Sequence, residues 1–156
     1  MGVELRTKML ATSSDDLGIQ PTDRFPNVFG MLMDWSVGTA IATIVSICDG
    51  NASLYTTSTF GIIGGIGHER VRNASVGFVI AGEKSYAAAS PRSDFSYPVE
   101  GRVRFYFLCF DGVRMIDADE DALSGGSDQC SDLWRLGQNV MTELRLTMPQ
   151  PTAEGA

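Results

Sequence analysis

The feature that most constrains this chain is the run Val103, Arg104, Phe105, Tyr106, Phe107, Leu108, Cys109, Phe110, followed by Asp111-Gly112 and then by Val113 to Asp117. Alternate residues of a strand point to opposite sides of a sheet, so Val103, Phe105, Phe107 and Cys109 share one face and Arg104, Tyr106, Leu108 and Phe110 the other. Both faces are largely apolar. Such a strand needs cover on each side, and Asp111-Gly112 supplies the residues of a tight hairpin turn. The run therefore predicts the interior of a sheet with helices packed on it.

A second hairpin is legible earlier. Val28 to Trp35 is a short apolar run, Ser36 to Gly38 can turn, and Thr39 to Cys48 is rich in β-branched residues. Asp49-Gly50-Asn51 then provides the left-handed backbone of a turn, and Ala52 to Phe60 alternates as a further strand. Two segments carry the helical period instead. His68 to Ala89 places Val71, Ala74, Phe78, Ala81, Gly82 and Ser85 on one stripe, and Asp132 to Thr147 places Leu133, Leu136, Val140 and Leu144 at spacings of three and four. Gly77 and Gly82 each cost roughly 1 kcal/mol relative to Ala inside a helix, which close packing of the helix on the sheet would explain. Ser131 or Asp132 can cap the last helix. The expected fold is α+β: a mostly antiparallel five-stranded sheet, in the order three strands, long helix, hairpin and C-terminal helix, with the helices packed on the sheet.

The ends differ in character. Residues 1–25 are mixed and polar, with Thr12 to Asp16 and Pro21, and read as a partly flexible arm holding one short helix near Leu5 to Leu10. Residues 26–148 read as one α/β domain and residues 149–156, with Pro149 and Pro151, as a tail. At 156 residues with a net charge of −7, the chain is long enough for one core and too acidic to attract a polyanion, so nucleic acid is not an expected partner. The longest apolar stretches are strand-length, and no leader pattern opens the chain, so a cytoplasmic location without membrane attachment is expected. Three cysteines, Cys48, Cys109 and Cys130, are odd in number and far apart, and read as reduced thiols.

Three segments, Asp49 to Tyr55, Gly61 to Arg72 and Gly101 to Tyr106, resemble a family of uncharacterised bacterial hypothetical proteins, for which no activity is implied. The order of elements also resembles the small α/β sandwiches of the profilin, longin and roadblock kind, which implies a five-stranded antiparallel sheet carrying helices. Roadblock and longin domains divide their strands two plus three, whereas this chain reads three plus two.

The segment Gly61 to Glu69 is the first candidate for chemistry. Gly64, Gly65 and Gly67 lead into a helix N-terminus, where free backbone amides and the helix dipole favour an anion, and His68, Glu69, Arg70 and Arg72 follow at once. A tight crossover turn uses the same glycines. The spacing matches neither G-x-G-x-x-G nor a phosphate-binding loop ending in Lys, so no nucleotide cofactor is implied. His68 has Arg72 rather than a histidine four residues on, which excludes the H-E-x-x-H zinc pattern. Asp117 to Asp121 imitates half a calcium loop, but Ala122 stands where the sharp turn needs glycine, so a solvated acidic loop is expected and no metal. No nucleophile is placed beside a base by spacing alone.

The sequence therefore favours a non-enzymatic protein-interaction module, homo-oligomeric or paired with another protein. Met31, Met33 and Trp35 would form its apolar edge segment. The alternative is a small-anion or small-molecule binding domain, enzymatic or not, built on the glycine-rich turn 61–69.

Overall fold

The computed structural model describes residues 2–57, 61–63 and 67–147. Its strands are β1 (Val28–Val37), β2 (Ala40–Ile47), β3 (Ala52–Thr56), β4 (Gly61–Ile63), β5 (Ser90–Pro91), β6 (Arg102–Cys109) and β7 (Gly112–Asp119). They form one sheet in the order β4-β3-β2-β1-β6-β7-β5, antiparallel at every pairing. The helices are α1 (Gly2–Ala11), α2 (Glu69–Ser85), α3 (Glu120–Ser124) and α4 (Ser131–Leu146). An α+β fold on an antiparallel sheet is what the alternation implied.

The strand count is higher than the expected five. The sheet has six strands of three residues or more, with the two-residue β5 at its edge. β4 arises where the glycines suggested only a crossover, because Ile62 and Ile63 pair with Leu54 and Ser53. β5 ends on Pro91, a residue that lacks an N–H and is tolerated at an edge.

Both long hairpins are present. The turn between β6 and β7 sits one residue earlier than Asp111-Gly112, since Cys109 already pairs with Gly112 and Gly112 takes φ +130°. β1 is the central strand, hydrogen-bonded to β2 on one side and β6 on the other. The apolar segment Val28 to Trp35 is thus not the open edge expected from sequence, and Met31 and Met33 are fully buried in the core. A bulge between Val28 and Gly30 shifts the register on β6 and sets which side each later residue of β1 faces.

One face of the sheet meets α2 and α4. There Met31, Met33, Ile44, Phe105 and Phe107 pack with Phe78, Leu133, Val140 and Leu144. Gly82 of α2 lies against Met31, where an added Cβ would come 2.3 Å from its sulfur, and Gly137 of α4 lies similarly against Met33 and Phe78. Gly77 has no such reason: a Cβ there would meet nothing within 4 Å. α2 ends at Ser85 and tightens into a 3-10 turn over Tyr86–Ala88 instead of running on to Ala89. The cap of α4 is Cys130, without a side-chain bond of its own, and the Cys130 N–H donates to Asp128.

The other face carries Phe29, Leu32, Val45, Tyr106 and Leu108. Within the arm expected over residues 1–25, the short helix expected near Leu5 to Leu10 runs over Gly2–Ala11 as α1 and lies over this face through buried Leu10 and Arg6, with Phe95 of the β5–β6 connection edge-on to Tyr106 beside it. The acidic stretch is structured rather than a solvated loop. Asp117 ends inside β7, paired with Arg102 and Arg104, and Asp119 accepts the Ala122 N–H as the cap of α3.

Candidate functional site

The glycine-turn residues do not converge. Gly64 and Gly65 lie outside the described residues. Gly67, His68 and Glu69 are exposed at the entrance to α2, and His68 precedes the helix without a side-chain capping bond. Arg70 donates from Nε and Nη2 to the two oxygens of Glu143 on α4, at 3.0 and 3.1 Å. Two residues on, Arg72 turns away and lays its stem under the β2–β3 turn, where a Cβ on Gly50 would come 3.1 Å from it. The hollow of about 670 Å³ at this helix entrance has Glu69 and Glu143 in its wall, and Arg70 is already held by one of them. Two carboxylates and one neutralised arginine are poor surroundings for an anion. Arg102, the third arginine near in chemistry, is bonded to Asp117 at 2.6 Å.

The thiols are held in the protonated form. Burial pushes Cys109 up to about 12 and Cys130 up to about 11, and burial followed by the charge of Asp49 raises Cys48. A thiol needs its thiolate to act as a nucleophile, so these shifts disfavour that role for all three near neutral pH, least for half-buried Cys48.

One polar cluster escaped the sequence reading. Asp34, fully buried in β1, accepts Arg6 Nη2 at 2.7 Å, Arg6 Nε at 3.0 Å and the Thr43 hydroxyl at 2.6 Å. Arg6 also donates to the Phe95 carbonyl at 2.6 Å and lies 4.1 Å from the centre of the Tyr97 ring. These partners are all within the protein, so the cluster fastens α1 and the 92–99 loop to the sheet. Its signal was a single carboxylate inside Met31-Leu32-Met33-Asp34-Trp35.

Among the described residues the feature best suited to hold something is an open cavity of about 400 Å³ at one end of the sheet. Its floor is built from residues two apart on three neighbouring strands: Trp35 and Val37 on β1, Ala40 and Ala42 on β2, Leu54 and Thr56 on β3. The period of two puts all six on the side of α4, and the pairings Trp35 with Ala42, Val37 with Ala40 and Ala42 with Thr56 set them side by side. The two alanines between larger neighbours create the hollow. Met141 and Arg145, one helical turn apart on α4, form the opposite wall. Trp35 is fixed edge-on to Trp134 at 5.3 Å, while Val37 remains 45% exposed at the mouth. The Trp35 Nε1 is buried without a hydrogen-bond partner.

No family model, curated protein or solved structure matches the chain. Among the described residues no helix is long and apolar enough to cross a membrane.

Proposed function

We propose that this chain is a non-enzymatic interaction module whose recognition element is the cavity between the β1–β3 end of the sheet and α4. The observation that supports it is the lining: apolar or small side chains on three strands, open to solvent, with a single charged group at the rim. Cavities of this size with mostly apolar walls and few polar groups are the usual form of a binding site. The buried charges found elsewhere are engaged with one another, as in Arg6 with Asp34. Two copies closing these mouths on each other would be one form of such recognition, and a light-scattering mass near 16.8 kDa at low micromolar concentration would rule that form out.

A neutral apolar dye tests the reading. Nile red should gain fluorescence on wild-type protein, and Ala42→Phe, which fills the hollow, should remove most of the gain while the far-ultraviolet circular dichroism stays unchanged. Equal enhancement by a folded Ala42→Phe protein would place the dye elsewhere and overturn the proposal.

A further inference from the structure

We infer that the cavity takes a small amphiphilic carboxylate, an acyl or aryl chain ending in one carboxylate group, with Arg145 as its counter-charge. The inference rests on the cavity being the recognition element. Two observations carry it. The first is charge: among the described residues Arg145 is the only charged one in the lining, it is exposed, and it makes no ion pair with any of the others. Among the described residues no carboxylate lines the cavity to repel an acid. The chain carries a net charge of −7, and charges farther from the mouth than a Debye length of about 8 Å are largely screened.

The second is the volume. About 400 Å³, walled by Trp35, Val37, Leu54 and Met141, suits one medium-length chain rather than a nucleotide or a sugar, whose many polar groups would be buried there without partners.

The same considerations separate a small ligand from a protein segment. A peptide would bring amide groups into the hollow, but the floor strands spend their backbone groups on one another in the β1–β2 and β2–β3 ladders. The side chains offer only Thr56 and Arg145 at its ends. An acyl carboxylate brings no polar group except the one that Arg145 meets.

The test titrates the full chain with decanoate, decanol and decylammonium, each below its aggregation threshold, and with an acetylated leucine tripeptide amide. Calorimetry gives affinity, and the Trp35 indole N–H resonance, with that of Trp134 as comparison, reports the place. Decanoate should saturate at one per chain and move the Trp35 signal. Decanol should bind about fivefold more weakly, the upper range for an exposed ion pair, and decylammonium more weakly still. Arg145→Gln should bring decanoate down to the affinity of decanol and leave decanol unchanged. Val37→Lys, which adds a second cation at the mouth, should tighten decanoate and loosen decylammonium. Both positions are exposed, so these variants are expected to fold. Equal binding of the three amphiphiles would sink the carboxylate inference and leave the cavity reading standing. Binding of the tripeptide without decanoate would do the same and make the occupant a protein segment. No saturable binding by any of the four would remove both.

Discussion

Arg6 of α1 and Asp34 of the central strand meet with Nη2 2.7 Å from Oδ2, 28 residues apart in sequence and both almost without solvent contact. The pair joins the N-terminal helix to the middle of the sheet. Because both charges are desolvated, a well-packed apolar pair could replace them at little loss, whereas removing one partner strands the other. Arg6→Met should destabilise the protein by about 3–5 kcal/mol near neutral pH, and adding Asp34→Leu should recover part of that loss. Urea unfolding of the two single variants and the double variant measures this; additive losses would mean that the pair is not coupled.

The pH dependence of the same variant has a defined sign. Burial holds the Asp34 carboxyl above its ordinary 3.8, even though Arg6 and Thr43 pull it down. Removing Arg6 takes away the larger of these restraints, so the folded variant binds a proton more readily than its unfolded chain. Between pH 3.8 and the raised value the native state then holds more protons, and stability rises as pH falls. The stability deficit of Arg6→Met should shrink from pH 8 to pH 5. A deficit that grows on acidification would contradict the raised carboxyl.

The helix glycines should separate by environment. Gly82→Ala would drive a methyl into the buried Met31 side chain, and Gly137→Ala into Met33 and Phe78. Each should cost about 1–3 kcal/mol through overpacking. Gly77→Ala meets open space and should stabilise α2 by about 1 kcal/mol. Thermal melts of the three variants decide the matter, and a destabilised Gly77→Ala protein would reveal a contact at that position.

Arg70→Ala addresses the glycine turn. Since Arg70 is bonded to Glu143, its removal should lower stability by unpairing that carboxylate, and added salt should narrow the difference from wild type. At matched ionic strength the difference between wild type and variant should be the same in sulfate as in chloride. A sulfate-specific stabilisation present only in wild type would restore the turn as an anion site.

The thiols give an alkaline signature. Under native conditions at pH 8 a thiol reagent should modify half-buried Cys48 first, and Cys109 and Cys130 only on unfolding, with three equivalents in denaturant. Cys109 titrates near 12 when folded against an ordinary 9.0, so between those values the unfolded chain has already lost the proton that the native state keeps. Stability therefore falls as pH rises from about 9 toward 12, and Cys109→Ala should flatten that decline. An unchanged slope would mean that Cys109 is not the group responsible.

The local grammar of the chain was sufficient for its longer strands and for α2 and α4, though not for the short β4, β5 and α3. Alternation in Val103 to Phe110, Asp and Gly at the turns, and the three-and-four spacing of Leu133, Leu136, Val140 and Leu144 each act within a few residues, and backbone geometry makes them readable without knowing any neighbour. The need for cover on both faces followed from the same alternation. What stands next to what was not readable in this way. That β1 lies between β2 and β6, that Arg70 meets Glu143 instead of a ligand, and that Ala40 and Ala42 leave a hollow under Met141 and Arg145 depend on pairings across tens of residues. Such pairings are selected by the packing of the whole core, where each side chain's partners are set by volume and desolvation. Spacing along the chain carries no record of them.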